Sequence, residues 1–199
     1  MIKKLPNLIC IAIICILSSC AATYKWIKPA ELKYPALEDS TFSYQYNVIQ
    51  RAGNRKLSKK EAKSHMRVVA IKIFNNTGQP LEYRKNFRIY SGNNEVSLLS
   101  PVVASSGIKQ TAGLHLLYLL LTPMTLDVDA SGSIPIGLVI GPGIALGNMF
   151  VASGANKRFR EELLNNELEN RVIANGESFY GLITINDNGF MPLSMKLTK

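Results

Sequence analysis

Histidine, tryptophan and cysteine are nearly missing from this chain of 199 residues, which holds two, one and three of them respectively. His65 and His115 are the only histidines, so a serine–histidine–acid triad has just two possible bases. All three cysteines, Cys10, Cys15 and Cys20, fall within the first twenty residues. Acidic side chains are outnumbered by basic ones, 14 to 23, for a net charge of +9. A balance of that sign favours anionic lipid headgroups or polyanions as partners, although the charges are spread widely. Charge is absent altogether from residues 130–156, and that gap contains IPIGLVIGPGIALGNMFVASG, residues 134–154, with five glycines and two prolines.

The first residues read as a targeting segment. Lys3 and Lys4 form a positive n-region, and residues 8–17 form an apolar h-region. That apolar core, about ten residues long, is short against the roughly 20 needed to span a bilayer. The following Leu17-Ser18-Ser19-Cys20 resembles the bacterial lipobox, whose cysteine thiol is acylated with diacylglycerol and becomes the new N-terminus. The resemblance implies a signal peptide of residues 1–19 and a lipid on Cys20, with about 0.8 kcal/mol of membrane affinity per buried methylene. It also implies that Cys10 and Cys15 are lost, leaving a mature chain with no disulfide in an oxidising compartment and no histidine–cysteine zinc site. Without Lys3 and Lys4 there remain 21 basic against 14 acidic residues, a net charge of +7. Ala21 follows the cysteine where an Asp would suggest inner-membrane retention, and no acidic export run follows. The expected location is therefore the periplasmic face of the outer membrane.

Residues 20–40 are expected to be the lipidated cysteine and a tether interrupted by Pro29 and Pro35, with Tyr24 and Trp26 close enough to the lipid to rest among headgroups. An arm packed on the domain is the equal alternative. Alternation at a period of two begins at Thr41, where TFSYQYNVIQ sets Phe42, Tyr44, Tyr46 and Val48 on one side. A second strand, MRVVAIKIF, ends in the turn cluster Asn75-Asn76-Thr77-Gly78. NFRIY and EVSLL flank Ser91-Gly92-Asn93-Asn94 as a hairpin, and SFYGLITIN and FMPLSMKL flank Asp187-Asn188-Gly189 as another. Six or so short strands predict a mainly β, α+β chain: an antiparallel β-sandwich over residues 41–199 with a helical, glycine-rich apolar insertion at about 101–170.

Between the first two strands, Ser58 and Glu61 form a capping-box pattern for a helix at about 59–65. Arg55, Lys56, Lys59, Lys60 and Lys63 gather there, either as a contact for phosphates on an anionic surface or as a solvated connection. Nucleic acid is not expected as a partner, since no recognition module is visible. Within the insertion, residues 114–121 suit a buried helix or strand. A helix is expected over about 144–168, with Arg158, Arg160, Glu161, Glu162 and Glu167 on its polar side.

The uncharged stretch admits three readings. Gly141, Gly143 and Gly147 imitate a dinucleotide-binding turn, but the last spacing is one residue too long and no acidic-ended second strand follows. A membrane-inserting or oligomerising segment is a stronger alternative, with Gly137 and Gly141, or Gly143 and Gly147, letting helices approach. The preferred reading is a turn at Gly141-Pro142-Gly143 leading into a helix whose small residues pack tightly on the sandwich or on residues 114–121. Asp127, Asp129, Ser131 and Gly132 resemble the first half of a calcium loop, yet the twelfth position is Leu138, which supplies no bidentate ligand. No metal, cofactor or catalytic residue is expected.

A lipobox, a tyrosine-bearing first strand, a basic link, VVAIKIFNNTGQPLEY, GNMFVASGANKRFREELLNNEL and a terminal NGESFYGLITI with MPLSMKL together resemble uncharacterised lipoproteins of Bacteroidota. IKIFNNTGQPL is also similar to a strand–turn of immunoglobulin-like domains. The resemblance carries no activity or site residues. It implies a lipid-anchored envelope protein serving as a structural or binding module, with an envelope protein or cell-wall component as partner.

Overall fold

The computed structural model describes residues 20–35, 41–128, 132–187 and 189–198. The expected signal peptide, the last part of the tether, the centre of the calcium-like loop and Asn188 lie outside the described residues. By its internal contacts the chain forms two units. One comprises Tyr24–Lys109 with Asn156–Lys199, and the other Met1–Thr23, described from residue 20, with Gln110–Ala155.

The first of these is an α+β unit. β1 (Phe42–Gln45) pairs antiparallel with β2 (Met66–Phe74), preceded by the short helices α1 (Val48–Arg51) and α2 (Arg55–Lys63). β2 pairs along its whole length with β9 (Ser178–Asn186), from Met66 opposite Asn186 to Phe74 opposite Ser178. A second sheet has β4 (Phe87–Ser91) between β5 (Asn94–Glu95) and β10 (Leu193–Leu197), and β3 (Leu81–Glu82) pairs with β8 (Val172–Ile173). Val69, Ile71, Ile73, Ile183 and Ile185 from one sheet and Phe87, Ile89 and Leu193 from the other enter one buried cluster. Fully burying each such side chain stabilises by about 1.5–3 kcal/mol. Val68 and Ala70, which alternation sends to the opposite face of β2, are buried as well, and α1 and α2 pack on that strand with Val48, Ile49 and Leu57 buried.

The turn expected after β2 is present and has a physical author in Asn75, which is fully buried. Its Nδ2 donates to Gln79 O and Ile173 O (both 2.8 Å), and its Oδ1 accepts from the Thr77 N–H (3.0 Å). Gly78 N–H donates to Asn175 Oδ1 (2.8 Å), which ties this turn to the one at Asn175-Gly176.

Several expected elements differ. The first strand stops at Gln45 rather than running to residue 50, because Asn47 adopts a left-handed φ of 60° and turns the chain into α1. Helix α2 begins at Arg55, so Ser58 lies inside it, its N–H donating to Asn54 O (2.9 Å), and no capping box forms. β9 and β10 do not make a hairpin: they belong to different sheets. The outer edge of β9 is already occupied, as Leu98 bridges Ile185 and the Leu99 N–H donates to Thr184 O (2.8 Å). Helix makes up 37% of the described residues and strand 26%, so α+β describes the chain and mainly β does not.

The second unit holds a 3₁₀ helix over Ala112–Leu121, the hairpin of β6 (Leu126–Val128) and β7 (Gly132–Ile134), and the start of α4 (Gly137–Asn165). The insertion opens before it with α3 (Pro101–Gly107), capped by Ser100 Oγ. Gly141-Pro142-Gly143 is not a turn but lies inside α4. Gly141 has no Cβ to collide with the proline ring, which lowers the usual penalty of the helical conformation before proline. A Cβ on Gly137 would stand 2.2 Å from Leu121 O, and one on Gly141 2.9 Å from Thr122 Oγ1, so these two glycines do let segments approach closely. Gly143, Gly147 and Gly154 face no atom within 4 Å and serve no such purpose inside the chain.

At the centre of β9, a Cβ on Gly181 would lie 2.4 Å from the Phe179 ring and 2.9 Å from Asn166 O, just past the end of α4. Gly181→Ala is expected to destabilise the α+β unit by roughly 1–3 kcal/mol, read as a lower midpoint in urea unfolding; an unchanged midpoint would mean that this approach is not tight.

Candidate membrane-anchoring site

Cys20 is exposed, and the backbone of each unit near it is held by side chains distant in sequence. The Ala21 N–H donates to Asn148 Oδ1 (2.8 Å), and Gln110 takes the backbone of Ala22 from both sides: Ala22 N–H to Oε1 (3.1 Å) and Nε2 to Ala22 O (2.7 Å). Further along, Asn54 does the same to Lys25, accepting its N–H at 2.8 Å and donating to its carbonyl at 2.6 Å. An amide side chain offers one donor and one acceptor side by side, and so substitutes for a neighbouring strand.

The strongest hold is Glu162, only 2% exposed. Its carboxylate accepts from the N–H groups of Ile27 (2.9 Å) and Lys28 (2.8 Å) and from the Tyr24 hydroxyl. Burial, and then the bond to Glu162, push the Tyr24 phenol far above its ordinary pKa, so it remains a donor. Tyr24 also packs on Phe159, with ring centroids 5.8 Å apart. Residues 24–28 are thus the packed arm, not a loose tether, and Tyr24 is buried rather than placed among headgroups; Trp26 is exposed. Glu162 was expected on the polar side of its helix, but it shares a face with buried Ala155 and Phe159, seven and three residues before it. That spacing was the available signal for it. Asn54, Gln110 and Asn148 had none, because their partners are distant in sequence.

The basic residues Arg55, Lys56, Lys59, Lys60 and Lys63 all lie on α2. Arg55, Lys59 and Lys63, four residues apart, form an exposed stripe, while Lys56 and Lys60 are half-buried. Glu61 faces inward instead and accepts from the Val68 N–H (2.8 Å). Burial pushes its carboxyl up to about 7, against the opposing influence of that bond and of Arg67.

His65 is exposed, at φ 55° between α2 and β2, and His115 is buried in the 3₁₀ helix, stacked on Tyr118 at 6.2 Å. The 3₁₀ segment around it is not the buried element expected: Leu114, Leu117 and Leu120 are exposed. No family model, curated protein or solved structure matches this chain.

Glu162→Ala leaves two N–H groups and a hydroxyl without their acceptor. It is expected to destabilise the α+β unit by about 2–4 kcal/mol and to speed hydrogen exchange at Ile27 and Lys28; unchanged exchange there would contradict the latch. Glu61 is an acid whose folded pKa lies above its ordinary 4.5, so its ionised form opposes folding, and stability rises as pH falls from about 7 towards 4.5. Glu61→Gln should be more stable than the parent above pH 7 by on the order of 1–3 kcal/mol, with the two melting curves converging towards pH 4.5. Curves separated equally at every pH would contradict the assignment.

Proposed function

We propose that this chain is a lipid-anchored cell-envelope protein, acylated at Cys20, whose α+β unit serves as a structural or binding module at the periplasmic face of the outer membrane. The observation that carries the reading is the exposed Cys20 followed at once by residues that side chains hold, Ala21 by Asn148 and Ala22 by Gln110. A lipid there is joined to a fixed backbone, not to a loose leader. The targeting segment before it and the resemblance to Bacteroidota lipoproteins supply the rest.

Within this reading the two antiparallel sheets over one core are an immunoglobulin-like sandwich, and the occupant of the module is another envelope protein or a cell-wall component. Arg55, Lys59 and Lys63, with Lys56 and Lys60 beside them, are the contact for an anionic surface. No cofactor, nucleic acid or catalytic step belongs to it. The alternative, a membrane-inserting or oligomerising component using residues 134–154, is favoured by the exposure of Leu138, Val139, Ile140 and Phe150, and it is compatible with a lipid anchor.

Mass spectrometry of the protein isolated from a bacterial envelope is the direct test. The expected N-terminal peptide begins at Cys20 and carries diacylglycerol, and Cys20→Ser abolishes both the cleavage and the added mass. A mature chain with an unmodified Cys20 thiol would contradict the proposal.

A further inference from the structure

We infer that the apolar unit, Gln110–Ala155, docks into the hydrocarbon of the same bilayer that receives the lipid on Cys20, so that the protein is held by acyl chains and by protein side chains together. The inference rests on the anchoring read above and names the partner of a surface which that reading leaves uncovered.

The unit is built inside out. Among its described residues, the buried ones are Gln110, His115, Gly137, Gly141, Ala145, Ala152 and Ala155, and no leucine, isoleucine, valine, methionine or phenylalanine is buried. Leu117, Leu120, Val139 and Phe150 are each more than 60% exposed. In water, this arrangement forfeits the main source of folding free energy, since burying large apolar side chains is what drives a unit to close. In hydrocarbon the same surface incurs no penalty.

Length and charge agree with that solvent. Residues 137–156, the first twenty of α4, carry no charge, and at 1.5 Å per residue they extend about 30 Å, the thickness of a bilayer's hydrocarbon. The most apolar window of this helix has a mean hydropathy of 1.5 and is only 22% buried, which separates it from the core helix of a soluble domain. Lys109 precedes the unit, and Lys157, Arg158 and Arg160 follow it, where long basic side chains reach the headgroup level. The charges between, Asp127 and Asp129, fall in the connection between the 3₁₀ helix and α4.

A lipid phase is a better occupant than a second copy of the chain. Leu138, Val139 and Ile140 are consecutive and all exposed, so apolar surface turns most of the way round the helix instead of forming one stripe for one neighbour. Position supports the same choice. The backbone next to Cys20 is bonded to Asn148 on α4 and to Gln110, so acyl chains on Cys20 begin at this unit.

The test uses residues 20–199 carrying Cys20→Ser, which has no lipid, in flotation with vesicles of phosphatidylethanolamine and phosphatidylglycerol at high salt. It is expected to float with the vesicles, and the triple variant Leu120→Asp, Val139→Asp, Phe150→Asp should partition about tenfold less or weaker still. Hydrogen exchange at β2 and β9 amides, unchanged in the variant, shows that the α+β unit has kept its fold. A chain that stays in the soluble fraction as a monomer, or that self-associates without lipid and then ignores vesicles, overturns the inference. The two attachments fail separately: a Cys20→Ser chain that floats supports docking even if native Cys20 proves unmodified, and an acylated native protein whose Cys20→Ser form does not float keeps the anchor and loses the docking.

Discussion

Nine consecutive antiparallel pairs between Met66–Phe74 and Ser178–Asn186 hold together stretches of chain that lie more than a hundred residues apart, and the rest of the molecule hangs on that register. Because one face of β2 enters the common cluster and the other receives α1 and α2, a slip by one residue would exchange Val69, Ile71 and Ile73 for Val68, Ala70 and Lys72 on the core side. The intervening insertion is tolerated because the entropy of closing a loop grows only with the logarithm of its length, about 0.6 kcal/mol for each doubling. The α+β unit, with its own buried cluster, can therefore carry a unit in which no large aliphatic side chain is buried among the described residues.

Glu162 solves a different problem. A carboxylate 2% exposed would be costly without partners, and among the described residues no salt bridge answers it; the arm does, through two backbone N–H groups and the Tyr24 hydroxyl. Asn54 in the same unit, holding Lys25, and Gln110 in the other unit, holding Ala22, extend the same principle with neutral amides that each match a backbone donor and acceptor.

What could be seen in the residues divides along the range of the interactions. β2 was legible because Val69, Ile71 and Ile73 alternate at a period of two, β9 because turn residues bound it, and the turn at Asn75 because asparagine and glycine set it locally. The pairing of β9 with β2 instead of β10 was not, since the outer edge of β9 is taken by Leu98 and Leu99, a contact that no local pattern records. The stretch with five glycines was read as a turn followed by a helix; it is helix from Gly137 onward, where glycine before Pro142 lowers the penalty of the helical conformation there. Its small residues were expected to pack: Gly137, Gly141, Ala145 and Ala152 are buried, whereas Gly143, Gly147 and Gly154 face no atom within 4 Å. Glu162 was likewise placed among solvated charges, when helical spacing from buried Ala155 and Phe159 puts it inside.

The proposed division of the chain into a water-facing α+β unit and a hydrocarbon-facing apolar unit can be measured with one fluorophore. Trp26 is the only tryptophan, so Trp26→Phe with Phe150→Trp leaves a single reporter on the exposed side of α4. In vesicles whose lipids are brominated deep in the acyl chain, the account predicts that emission from this tryptophan shifts to the blue and is strongly quenched. Emission that stays red and unquenched, with the protein still attached to the vesicles, would mean that lipid on Cys20 holds the chain while α4 remains in water, and would contradict it.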